Sequence, residues 1–100
     1  MPSIYEIHWT SEANRNLIEI ENFILLKWNV KIAKTFFKKL DSRIEIISKR
    51  PFAFPAAKHS ESLRRCVITK QTTIYYLVKS NRIDIVSVFD TRRNPNKLPK

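Results

Sequence analysis

The stretch that most constrains this chain is residues 73–95, TIYYLVKSNRIDIVSVFDTRRNP. Two apolar runs, residues 74–78 and 83–89, are rich in β-branched and aromatic side chains, which suit a pleated, half-buried surface. The polar link Lys79-Ser80-Asn81-Arg82 between them predicts an antiparallel hairpin. Strict alternation puts Ile74, Tyr76 and Val78 on one face of the first strand. It puts Ile83, Ile85 and Phe89 together on one face of the second strand, with Val86 and Val88 opposite. A strand apolar on both faces belongs inside a sheet, covered on both sides. This one runs directly into Asp90-Thr91-Arg92-Arg93-Asn94-Pro95, so a rigid strand would deliver two arginines to a sheet edge.

The rest of the chain predicts the elements that cover such a hairpin. Residues 3–9 alternate, with Tyr5, Ile7 and Trp9 facing one way and Ile4, Glu6 and His8 the other, as in a half-buried strand. His8 reads as a solvated strand residue, because no second ligand type follows at metal-binding spacing. Thr10 or Ser11 then caps a helix, with Glu12 in the first turn where the helix dipole favours an acid. Its stripe is Ala13, Leu17, Ile20, Ile24 and Trp28, with Leu25 alongside. Asn29 ends that helix and caps the next, over about residues 30–49, whose stripe is Ala33, Phe36, Phe37, Leu40, Ile44 and Ile47. Lys31, Lys34, Lys38, Lys39 and Arg43 fall on its solvated faces. So short a link predicts two antiparallel helices.

Pro51 stops the second helix. A loop, FAFPAAKHS, follows, with Phe52 and Phe54 expected to anchor it on the core. A strand is predicted over residues 63–70, with Arg65, Val67 and Thr69 on one face and Arg64, Cys66 and Ile68 on the other, before Gln71 and Thr72 turn into the hairpin. There is no glycine, so any positive φ must fall to Asn, Asp or Ser, Asn81 first. The predicted order is β-α-α-β-β-β. This is an α+β domain, a helical hairpin packed on one face of a small, largely antiparallel sheet, over residues 1–95 with a basic polar tail at 96–100.

Charge narrows the partners. The formal net charge is +10, with +3 in residues 1–50 and +7 in residues 51–100. An excess of that size in 100 residues points to an anionic partner. Cys66 is alone, which excludes an internal disulfide, fits a reducing cytoplasm and reads as a small core residue. The first residues lack the pattern of a signal peptide, and no apolar run approaches the length of a membrane span.

Several chemistries lack their residues. Without glycine there is no phosphate loop or dinucleotide fingerprint. No metal-ligand cluster, nucleophile–histidine pair or paired carboxylates stand out, and no cofactor is expected. What remains is a cationic set, Lys58, His59, Arg64, Arg65, Lys70, Arg92 and Arg93, with Tyr75 and Tyr76 among them. Arginine on strands beside tyrosine suits phosphate contacts and base stacking. The same set could cleave RNA, with Lys58 or His59 taking the proton from a 2′-hydroxyl while guanidinium groups stabilise the anionic transition state.

The order and spacing of Trp9-Thr10, Glu12-Ala13, Pro51, Leu63-Arg64, Ile74-Tyr75-Tyr76, Arg82-Ile83, Ile85, Val88 and Arg92-Arg93-Asn94-Pro95 resemble the RelE/ParE superfamily of bacterial toxins, over nearly the whole chain. The resemblance implies a toxin made beside a small antitoxin that wraps and blocks it. RelE-type members enter the ribosome and cut messenger RNA, whereas ParE-type members inhibit DNA gyrase. Two long, nearly equal helices and the lack of a tail carrying tyrosine or histidine make the chain ParE-like more than RelE-like. Leu77 stands where many relatives have arginine, Asp90 where histidine is common, and Gln71 or Thr72 where glycine is usual. These departures weigh against a nuclease.

Three readings follow. The first is a ParE-like toxin that binds gyrase, with Arg64, Arg65, Tyr76, Arg92 and Arg93 meeting the target and an acidic antitoxin as partner. The second is a ribosome-dependent endonuclease using Lys58, His59 and the arginines. The third is a degenerate, non-toxic relative.

Overall fold

The computed structural model describes residues 4–57 and 60–91. Strand β1 (Glu6–Trp9) leads into helices α1 (Ser11–Lys27) and α2 (Val30–Lys49), then a 3-10 turn at Pro51–Ala53. Four strands follow: β2 (Ala56–Ala57), β3 (Ser60–Val67), β4 (Thr72–Val78) and β5 (Arg82–Asp90). The sheet order is β1-β5-β4-β3-β2, parallel between β1 and β5 and antiparallel elsewhere. β5 therefore lies inside the sheet, as its apolar character predicts. No helix among the described residues is long and apolar enough to cross a membrane.

Each helix begins on the capping residue its sequence provides. The Thr10 hydroxyl accepts from Ala13 N at 3.2 Å, and Asn29 Oδ1 accepts from Ile32 N at 3.0 Å, each satisfying an N–H that the helix leaves open. Thr10 also ties α1 to the sheet: its hydroxyl lies 2.8 Å from Ile85 O and 3.0 Å from Val86 O, and its N–H donates to Ile85 O. The helices cover one face. Ala13, Ile20 and Ile24 of α1 and Ala33, Phe36, Leu40 and Ile47 of α2 close over Cys66, Ile74, Tyr76, Ile83, Ile85 and Val88.

Several expectations are corrected. Tyr75 pairs with Ser87 and Tyr76 with Ile85, so Val86 is an extra residue, a β-bulge. The bulge inverts the facing of the rest of β5: Val88 and Asp90 are buried on the core side, and Phe89 does not join Ile83 and Ile85 there. Asn16 Oδ1 accepts from Val88 N at 2.9 Å, serving β5 beyond the end of its ladder with β1.

β3 begins earlier than predicted and ends at Val67, because Thr69 makes a turn. Its hydroxyl accepts from both Gln71 N and Thr72 N, at 3.1 Å each, a local alternative to the strand ladder. The two-residue β2 has no counterpart in the sequence reading. No described residue has positive φ, Asn81 included, and the hairpin closes through Lys79 N to Arg82 O at 2.7 Å. Trp28 and Leu25 are exposed rather than core: Trp28 is already the C-cap of α1, where the helical stripe stops applying. Phe52 is 62% exposed and only Phe54 packs on the core, since the 3-10 turn points successive side chains apart.

Candidate functional site

Arg64 and Arg65 are neighbours on β3, so alternation sends them to opposite faces. Arg64 pairs across the ladder with Tyr76, and Arg65 with Tyr75. On the core side, Arg64 Nη1 donates to Phe54 O at 2.6 Å, and its guanidinium lies 4.7 Å from the centre of the Phe52 ring. Tyr76 is fully buried and its hydroxyl donates to Pro51 O at 2.6 Å. Arg64 and Tyr76 thus fasten the loop after α2 to the sheet. Tyr76 is a core residue, which corrects its placement among target-facing groups: the position opposite Arg64 points under the helices. Tyr75 is 9% exposed, and Lys70 is exposed in the turn after β3.

Arg65 is exposed and enters no ion pair among the described residues. It lines a groove of about 350 Å³ between α2 and the outer edge of β3, with Arg43, Ile46, Phe54, Pro55 and Val67. Arg43 reaches over from α2 and its Nε donates to Val67 O at 3.3 Å. Arg43 is thus half-buried against β3 and not on the solvated face that the helical pattern predicts. Its place three residues after Leu40 and one before Ile44 was the available signal, since it borders the apolar stripe. Lys58, His59, Arg92 and Arg93 lie outside the described residues. Of the cationic set, then, Arg65 faces the groove while Arg64 is engaged in the fold. Among the described residues no three His, Cys, Asp or Glu side chains converge as a metal site would require. His8 is exposed on the polar face of β1.

Two buried acids beneath this region have ordinary values displaced upward. Burial raises the Cys66 thiol from 9.0 to about 11, against a smaller lowering by Arg43. Burial also raises the Tyr76 phenol from 10.0 to about 12, assisted by Cys66 and opposed by Arg64. In both, the folded chain keeps a proton that the unfolded chain releases. Stability is therefore intact below pH 9 and falls as pH climbs towards 11 and 12. Cys66 alone should withdraw on the order of 2–3 kcal/mol across its window. Urea denaturation at pH 8 and at pH 10.5 should show the loss, and Cys66→Ala should make it smaller. An unchanged pH slope in that variant would contradict this.

The chain matches one family profile over residues 7–95, described as ParE toxin of type II toxin-antitoxin system, parDE. No curated protein matches the chain by sequence. Solved structures share the fold at low identity. The chromosomal ParDE toxin–antitoxin system of P. aeruginosa aligns with a TM-score of 0.74 at 12% identity, covering 87% of this chain and 96% of that one. The RelBE2 toxin–antitoxin complex of Mycobacterium tuberculosis aligns at 0.60 and 14% identity, covering 90% and 94%. The YoeB dimer of Staphylococcus aureus aligns at 0.59 and 16%, covering 87% and 97%.

Proposed function

Because the chain belongs to the ParE toxin family of type II toxin–antitoxin systems, we propose that it arrests growth by binding DNA gyrase and is neutralised by a cognate acidic antitoxin. The observation that carries this reading is the family match, which spans both helices, the sheet from the second residue of β1 onward and the arginines at 92 and 93. Arg65, Arg92 and Arg93 are the residues proposed to meet the target. Arg64 has a positioning role, holding the loop after α2.

Two observations favour binding over RNA cleavage. The guanidinium of Arg64 is already hydrogen-bonded to Phe54 O and stacked on Phe52. The Tyr76 hydroxyl is bonded inside the core. The buried Tyr76 hydroxyl is therefore withheld from a phosphate in the folded chain, and Arg64 is turned towards the loop after α2. The antitoxin rests on charge as well as family. A net charge of +10 steers an acidic partner and makes its association fast and salt-sensitive.

Inducing the protein in bacteria without its antitoxin tests the target. Gyrase inhibition predicts filamentation with a DNA-damage response. Immediate arrest of translation with cleaved messages would instead identify a ribosome-dependent nuclease and overturn the proposal.

A further inference from the structure

We propose that the groove between α2 and β3 seats an extended segment of the protein partner in which a carboxylate side chain alternates with aliphatic ones, the carboxylate lying between Arg43 and Arg65. The inference takes the existence of a protein partner from the toxin–antitoxin reading; the chemistry of the segment comes from the groove.

The floor of the groove is apolar. Ile46 and Val67 are 39% and 51% exposed, and Phe54 and Pro55 complete the lining. Both charged groups of the lining are arginines, and no carboxylate lines it among the described residues. Arg43 is held by Val67 O through Nε, which leaves the outer edge of its guanidinium for a second acceptor. Arg65 is exposed and enters no ion pair among the described residues. Two guanidinium groups beside an aliphatic floor suit a carboxylate carried on an apolar segment. The one aromatic ring of the lining, Phe54, packs on the core, so the exposed floor is the aliphatic surface of Ile46 and Val67, which suits an apolar segment better than a stacked base.

The site is also open at its edge. β2 pairs with β3 only as far as Arg64, and Pro55 O takes the N–H of Arg65, so among the described residues no strand flanks Cys66 and Val67 on that side. Charge decides the occupant. Residues 96–100 carry two lysines and no acidic side chain, and a second copy would bring another +10. Both mismatch a pair of arginines, whereas an acidic partner complements them. The larger groove beside β1 makes no such choice, because Lys38 and Lys49 line it together with Asp41 and Glu45. A segment lying in the α2–β3 groove would cover Arg65, which the proposed function assigns to the target, and so would block the toxin sterically.

The test uses the full chain, ¹⁵N-labelled, and two blocked pentapeptides: Val-Glu-Leu-Asp-Val and its amide counterpart Val-Gln-Leu-Asn-Val. The acidic peptide should shift the amide signals of Ile46, Phe54 and Val67, and bind at least fivefold more tightly than the amide peptide. That preference should vanish in Arg65→Gln and shrink in Arg43→Gln, with the unbound spectra of both variants otherwise preserved. Equal binding of the two peptides, shifts centred elsewhere, or no shift at millimolar peptide would overturn the proposal. So would stronger shifts at the same three residues from oligouridylate, which would make the groove a nucleic-acid site. Because toxicity is not the readout, the gyrase reading can fail while this one stands, and the reverse.

Discussion

Leu40→Ala should destabilise the fold by about 2–5 kcal/mol. Leu40 is 3% exposed in the core cluster, on the stripe of α2 that also carries Phe36 and Ile47. Truncation removes the transfer energy of its buried methyl groups and leaves a cavity that two helices, each capped and tied down, cannot fully close. Thr10 fixes α1 to β5, and Ser48 Oγ fixes α2 to the residue before β1 by donating to Tyr5 O at 2.9 Å. For a domain of about 100 residues each kcal/mol moves the thermal midpoint by roughly 4–8 °C, so the drop should be about 10–30 °C. Lys39→Ala, on the neighbouring exposed position, should stay within about 0.5 kcal/mol. Equal midpoints for the two variants would show that Leu40 is not a core residue.

The second large effect concerns activity. Replacing Arg92 and Arg93 together by alanine should abolish growth arrest while leaving stability within about 0.5 kcal/mol. The strand that leads to them is firmly held. Asp90 is 3% exposed and accepts from the Thr72 hydroxyl at 2.6 Å, and Thr91 N donates to Gln71 O at 2.8 Å. A recognition group is best carried on an element that does not move, and these two arginines follow such an element immediately. Expression without antitoxin, with protein levels matched, gives the readout, and the thermal midpoint of the purified double variant is the control. Growth arrest that persists would remove the pair from the site and leave Arg65 as the leading residue. Lost toxicity with a lowered midpoint would make the arginines structural.

What the sequence determined by itself is whatever depends on local order. The cap at Thr10, the second cap at Asn29 and the stop at Pro51 each act within a few residues, so α1 and α2 were legible nearly to their ends. The alternation of Tyr5, Ile7 and Trp9 and the helical stripe from Ala33 to Ile47 likewise reflect backbone periods that neighbours do not alter. The tertiary structure decided the rest. At the Val86 bulge the β5 backbone is engaged by Thr10 and Asn16, more than 70 positions away in sequence, and beyond it Val88 and Asp90 are buried. The same distance in sequence hid the candidate site. Arg64 and Arg65 look like a pair along the chain, but a pleated strand separates them, so that one braces a loop and the other meets Arg43 across a groove. Side chains brought together by packing leave no period to read, and only the fold shows which of the positive charges share a surface.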